Sequence, residues 1–350
     1  VPRVAGIDPG TLSVDACGLE NGRLFLDASW PTAELLADPR PLIDALLAAG
    51  PVECVAGPSG YGLPLCRARD VSEDDLRLAF LAPAGEEGGI GGLRTLTRRL
   101  DEAGLPLVFT PGAMHLETVP AHRKLNRVDL GTADKVCAAA LAIAAESERR
   151  GQACEEISLI LLELGGAFTA GLAVERGQIV DGLGGTSGPI GWRAAGALDG
   201  EVAFLAGSVS KGMLFDGGVE RIAQADPRLR DTALEAYVEG AARAVRVLGS
   251  AAPSADALLL SGRHAADPDI RRRLSGALAD IGEVRRLAGF ATRAKQGAQG
   301  AALLADGLAG GAHEKLVERL GIREAKGTVL DHLYFISPAV ARRRLGVSDA

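Results

Sequence analysis

Two acids, Asp8 and Glu163, each stand where an apolar stretch gives way to a turn, and each is followed two residues later by a glycine, in Asp8-Pro9-Gly10-Thr11 and Glu163-Leu164-Gly165-Gly166. A turn of this composition after a buried strand offers backbone N–H groups at glycines, where a phosphate can approach closely, and at Thr11 a hydroxyl that can donate to it. The carboxylate suits a magnesium ion held through water, because that ion dehydrates reluctantly. Taken alone, Asp-Pro-Gly-Thr is equally a plain β-turn.

The elements that must position these acids are matched. Val4 to Ile7 reads as a strand, Leu12 to Glu20 as a second, and Arg23 to Asp27 as a third after Asn21-Gly22, a dipeptide suited to a turn with positive φ at both positions. The same arrangement returns as Ser158 to Leu162, Ala167 to Glu175, and Gln178 to Asp181 after Arg176-Gly177. Asp8 precedes Asn21 by thirteen positions and Glu163 precedes Arg176 by thirteen, so the chain carries an internal structural repeat. Two facing loops make a clamp for a phosphate tail; a duplicated hairpin without a ligand is the plainer alternative.

Between and after the repeats, strands alternate with helices: a helix near Arg40 to Ala49, a strand at Val52 to Ala56, a helix near Gly91 to Ala103 and a strand at Leu105 to Phe109. Small-residue helices over Thr132 to Arg149 and about Lys295 to Gly307 follow the two halves and suit a close seam between domains. The Gly-rich stretch Ala84 to Gly92 reads as an exposed loop, Asp199 to Phe215 as one amphipathic helix, and Leu229 to Leu248 as a longer one. A third candidate site is the strand Leu258 to Leu260, ending in Ser261-Gly262-Arg263 ahead of a helix from Pro268 to Leu278. A helix N-terminus after such a turn suits the polar edge of a nucleoside or an anion, though an ordinary strand-to-helix turn looks the same.

Composition removes other classes. The 350 residues are 47% hydrophobic and 24% charged, the balance of an ordered globular chain longer than one core usually supports. A net charge of -7 argues against nucleic acid as a partner, and 4% aromatic content leaves no stacking platform for bases. The longest apolar run, Val136 to Ala145, is too short to cross a bilayer and no secretory signal opens the chain, so a cytoplasmic address and no membrane partner are expected. Cys17, Cys54, Cys66, Cys137 and Cys154 form no C-x-x-C and read as free thiols, and the scattered histidines make no transition-metal site. The glycine fingerprints of dinucleotide and P-loop folds are absent, and Gly57-Pro58-Ser59-Gly60 lacks the spacing of a serine-hydrolase elbow.

The order of Asp8 to Thr11, the helix from Thr132, Glu163 to Gly166, Ser261 to Arg263 and the helix from Lys295 resembles the superfamily of actin, sugar kinases, heat-shock chaperones, and acetate and butyrate kinases, over about residues 1 to 310. The resemblance implies an α/β fold of two ribonuclease-H-like (actin-like) domains, each a mixed five-stranded sheet flanked by helices, around an interdomain nucleotide cleft. The corresponding boundaries are 1–131 for the N-terminal domain, 132–149 for the first interdomain helix, 150–294 for the C-terminal domain, and 295–350 for the second interdomain helix and a segment returning toward the N-terminal domain. Gly57 to Gly62, Thr118 to Asp129 and Gly185 to Gly191 are similar to segments of a group described as butyrate-kinase-like. Acetate and butyrate kinases have Asn where this chain has Asp8 and His where it has Glu163; the aspartate looks more like sugar kinases and chaperones, which leaves the acceptor open.

The expected site follows. Asp8 and Glu163 hold magnesium through water, while Gly10, Thr11, Gly165 and Gly166 cradle the β- and γ-phosphates of ATP, and Ser261, Gly262 and Arg263 meet the nucleoside. Ser59, His122, Arg123 and Arg193 are candidates for the acceptor side. Arg127 and Arg123 could pair with an acceptor carboxylate or the transferred phosphoryl group, or belong to a solvated basic loop. Asp129 could orient an acceptor or attacking water, or cap the following helix. The function expected is a small-molecule kinase with ATP and magnesium as cofactors and a small-molecule acceptor, for which a short-chain carboxylate is one candidate. The alternative is an ATP-dependent switch read by a protein partner. A homodimer is compatible with the chain.

Overall fold

The computed structural model describes residues 2–10, 12–48, 50–57, 60–82 and 90–348, and the side chains of these except 90–93. Thr11 and Ser59, both candidate site residues, lie outside the described residues, as does most of the Gly-rich stretch after residue 82.

Each acid-bearing hairpin nucleates a mixed sheet. In the first, β1 (Arg3–Pro9), β2 (Ser13–Glu20) and β3 (Arg23–Pro31) run antiparallel, β4 (Cys54–Gly57) and β6 (Leu107–Pro111) continue parallel to β1, and β5 (Gly62–Arg67) closes the edge, in the order β3-β2-β1-β4-β6-β5. In the second, β7 (Leu159–Leu164), β8 (Thr169–Glu175) and β9 (Gln178–Leu183) repeat the antiparallel meander, and β10 (Leu258–Ser261) and β11 (Val284–Arg286) run parallel to β7, in the order β11-β10-β7-β8-β9. Both tight turns have the left-handed geometry expected of them, with φ of 55° and 71° at Asn21 and Gly22 and of 50° and 74° at Arg176 and Gly177.

A sixth strand, β5, extends the first sheet beyond the five expected. Pro64 and a register shift between Gly62 and Cys66 confine it to the edge, where a missing N–H is tolerated and a sequence pattern is weak. The amphipathic stretch Asp199 to Phe215 is not one helix: a helix covers Gly200–Ala206, Gly207 turns out of it at φ 73°, and a single 3-10 turn covers Gly212–Phe215. Phe204 and Leu205 are 78% and 80% exposed, so the apolar pattern there meets no core that would sustain a longer helix. The helix Ile90–Glu102 begins inside the stretch read as a loop.

Two helices, Ala133–Arg150 and Gln296–Leu308, lie between the sheets and supply the middle of the core with Val136, Ala139, Ile143, Ala298, Ala301 and Leu304. Further helices cover the outer faces, through Leu42, Leu76 and Leu100 on the first sheet and Tyr237, Val245 and Leu274 on the second. The two seam helices touch backbone to backbone: a Cβ at Gly300 would stand 1.7 Å from the Cys137 carbonyl oxygen. Such an approach is open only to residues without bulk, which is why the seam is written in Gly and Ala. Residues 346–348 lie against the outer helix Glu73–Phe80, where Arg77 Nη1 donates to Gly346 O and the Ser348 amide donates to Asp74 Oδ2 at 2.9 Å. No described helix is long and apolar enough to cross a membrane.

Candidate functional site

Asp8 comes near the end of β1, whose residues Val4, Ala5 and Ile7 are buried on both faces as suits a central strand. Glu163 occupies the corresponding place in β7; it belongs to the strand, with the turn beginning only at Gly165. The turns close alike, the Gly10 amide donating to Ser13 O at 2.9 Å and the Gly165 amide to Phe168 O at 3.0 Å. Both glycine N–H groups therefore hold their own loops, whereas the Gly166 amide has no acceptor among the described residues. The loops lie close together, since a Cβ at Gly166 would sit 3.5 Å from Leu12 Cδ1.

The seam helices bring two lysines between the acids. Lys135, in the first turn of one helix, reaches Glu163 Oε1 at 2.7 Å and Asp134 Oδ2 at 2.5 Å. Lys295, at the N-cap of the other, reaches Asp15 Oδ2 at 3.0 Å. It is placed there by Asp27 on β3, which accepts from the amides of Thr292 at 2.8 Å and Ala294 at 2.7 Å. Burial opposes the charge on both ammoniums, but Asp134 and Glu163 outweigh it at Lys135 and Asp8 and Asp15 at Lys295, so both are held above the usual lysine range.

The acids differ from one another. The Asp8 carboxylate accepts no hydrogen bond and makes no ion pair among the described residues. Burial, and then repulsion from Asp134, pushes it up to about 7 against the pull of Lys295 and Lys135. Burial also pushes Asp134 up, but Lys135 and the Thr132 hydroxyl, 2.5 Å from Asp134 Oδ1, leave it below the usual carboxylate range. Asp8 stays reachable because Gly297 has no side chain: a Cβ there would lie 2.6 Å from Asp8 Oδ2. No group of three or more His, Cys, Asp or Glu side chains converges as direct metal ligands among the described residues.

At the third element Ser261 pairs in register with Glu163, and a Cβ at Gly262, whose φ is 84°, would lie 2.9 Å from Glu163 Cγ. The strand-ending turn thus abuts the second loop. The Ser261 hydroxyl is buried with no partner among the described residues, while Arg263 is exposed.

On the acceptor side the candidates disperse. Asp129, 4% exposed, is not the helix cap, a position held by Thr132; it accepts from the Gly131 amide at 3.2 Å and from the amide and hydroxyl of Thr186, each at 3.0 Å, tying the two halves together. Arg123 likewise crosses between halves, donating to Val180 O at 2.7 Å with Asp181 at 3.8 Å. Arg193 turns toward Glu220 at 3.8 Å, and His122 and Arg127 are exposed.

A family model matches residues 6–335 of the chain. The chain belongs to the family described as "Protein of unknown function (DUF1464)". A comparison with curated proteins finds no match. Among solved structures, members of other families share the fold of this DUF1464 chain: a propionate kinase from Francisella tularensis subsp. tularensis superposes with a TM-score of 0.59 at 14% identity, over 86% of this chain and 99% of that one. Acetate kinase from Entamoeba histolytica gives 0.55 at 10% identity over 80% and 87%, and Porphyromonas gingivalis acetate kinase gives 0.55 at 14% over 81% and 88%. The fold is therefore the two-domain actin-like fold that these acetate and propionate kinases share.

Sequence reasoning missed Lys135, Lys295, Asp134 and Asp15. A signal for the lysines was present: a cation in the first turn of a helix opposes the macrodipole, and an N-cap favours Ser, Thr, Asp or Asn. Lysines at both seam-helix N-termini break both preferences, as positions held for another charge do.

Proposed function

We propose that the chain is an ATP-dependent kinase that transfers the γ-phosphate to a small-molecule acceptor. The observation that carries this reading is the pair of acids at matched hairpin positions with two lysines between them, each of which interacts with both acids. Phosphoryl transfer is chiefly positioning and neutralisation of charge on the transferring oxygens, and in this reading Lys135, Lys295 and the Gly166 amide would supply the positive ends. Magnesium, bound through water at Asp8, would add neutralisation of the phosphate tail. Glu163 already serves Lys135, so its part is to position that ammonium.

The acceptor side favours a carboxylate. A hydroxyl acceptor needs a base to take its proton; Asp129, with three donors on its oxygens, is committed to holding the halves together, and Asp8 is given to magnesium in this reading. A short carboxylate is ionised at neutral pH and needs none. This agrees with the likeness of the Thr118 to Asp129 segment to butyrate-kinase-like chains.

The test is release of ADP from ATP and magnesium in the presence of acetate, propionate, butyrate, other small carboxylates and polyols in turn. ADP release dependent on a carboxylate is expected. Slow release indifferent to every acceptor would overturn the kinase and favour a nucleotide-driven switch.

A further inference from the structure

We infer that a second ligand site, for an organic anion, lies behind the seam. A cavity of about 880 Å³ opens where the C-terminal part of the helix Ala133–Arg150, the segment after β11 and the start of the helix Glu314–Arg319 meet. It is separate from the cleft. Leu141 and Ala144 to Arg149 line it, whereas Asp134 and Lys135 lie in the first turn of that helix, Lys135 six residues or roughly 9 Å before Leu141.

The lining combines an apolar floor with a cationic rim. Leu141, Leu259, Leu287, Leu303 and Leu316 form the floor, and Arg149, Arg285, Arg286 and Lys315 stand around it against Glu146 and Glu148. In a chain of net charge -7, a cavity with more cations than acids is a local inversion of sign. Glu146, 3% exposed, is the anchor of that rim: Arg285 grips it at 2.8 and 2.9 Å, Arg149 at 2.7 Å and Arg150 at 3.0 Å. Arg150 is answered further by Asp256 at 2.7 Å and Arg285 by Glu283 at 3.7 Å, so the anchored forks are fixed and largely neutralised; the excess charge rests on Arg286 and Lys315, which make no ion pair among the described residues. Two unpaired cations, Arg286 and Lys315, at the rim of an apolar floor suit a phosphate or carboxylate on a hydrophobic body, and the volume is that of a metabolite pocket.

The site is also placed to be felt in the cleft, because both seam helices line the cavity near one end and carry Lys135 and Lys295 at the other. An anion bound here acts as an effector of nucleotide binding, a role that rests on the kinase reading, whereas the site itself does not.

The experiment is calorimetric titration of the full chain with phenyl phosphate, benzoate, inorganic phosphate and benzyl alcohol, repeated on Lys295→Ala and on the exposed pair Arg286→Glu/Lys315→Glu, which leaves the Glu146 anchor intact. Phenyl phosphate or benzoate is expected to bind more tightly than inorganic phosphate or benzyl alcohol; which of the two aromatic anions wins names the head group. Binding should survive Lys295→Ala and weaken at least about tenfold in the charge-reversed pair, the worth of one charge-assisted hydrogen bond. Loss of binding in Lys295→Ala, equal binding in the reversed pair, or equal binding of benzyl alcohol would each overturn the site. ATP titrated with and without phenyl phosphate should shift in affinity, and no shift would remove the effector role. Failure of ATP to bind at all would sink the kinase reading while leaving the anion titrations to decide the site.

Discussion

The two hairpin loops share a backbone and differ in electrostatics. In the second, Glu163 is matched by Lys135 at 2.7 Å and its charge is already answered. In the first, Asp8 is buried with Asp134 nearby, accepts no hydrogen bond among the described residues and is pushed up to about 7. The matched hairpins therefore differ in charge: the acid of one is paired with a lysine, and the acid of the other makes no ion pair among the described residues. Keeping an acid in that state costs stability, as strained or frustrated groups at functional sites do.

The comparison breaks most sharply at Asp8. Asp8→Asn is expected to lower magnesium-dependent turnover at least about a hundredfold, because one removed charge-stabilising contact in a catalytic site costs that much. Full turnover in that variant, measured by ADP release, would make the two loops equivalent. The same variant is expected to stabilise the ligand-free protein near neutral pH. The sign is set by a folded carboxyl raised above its unfolded value near 4: the unfolded chain releases this proton first, so stability falls as pH rises from about 4 to 7, by up to about 1.4 kcal/mol per pH unit. Melting curves across that range should flatten in Asp8→Asn, and magnesium-dependent ATP binding by the parent should weaken as pH drops below about 7.

Lys135→Ala attacks the paired loop. It leaves Glu163 and Asp134 facing one another without their cation, and a loss of roughly 3 kcal/mol on denaturant unfolding is expected, as for other buried pairs deprived of one partner. An unchanged midpoint would show that Glu163 is as unanswered as Asp8. Gly300→Ala tests the seam that carries both lysines: the new methyl would meet Cys137 O, and overpacking of this kind costs about 1–3 kcal/mol and should reduce ATP affinity with it. A stable variant with intact nucleotide binding would separate the seam from the loops. Arg127→Ala is the smallest change, expected to move stability by less than about 0.5 kcal/mol and to leave calorimetric ATP affinity alone, since the side chain is exposed.

Much of the fold was legible because its signals are local. The turns at Asn21-Gly22 and Arg176-Gly177 demand positive φ, and the Gly and Ala of the seam helices announce a close approach. Asp199 to Phe215 misled because periodicity states what a helix would bury without stating that anything is there to bury it against. The roles of Asp129 and Arg123 were equally out of reach: each side chain is spent on a partner more than fifty positions away, Thr186 for one and Val180 for the other.

By itself the sequence determined the paired hairpins, the mixed sheets and the places of the two acids, since dihedral limits and burial patterns act over a few residues. Only the tertiary structure decided which acid is answered and which is not. That depends on two lysines delivered by helix ends from distant parts of the chain, and on how much water burial takes away from Asp8, and neither has a signature in local spacing.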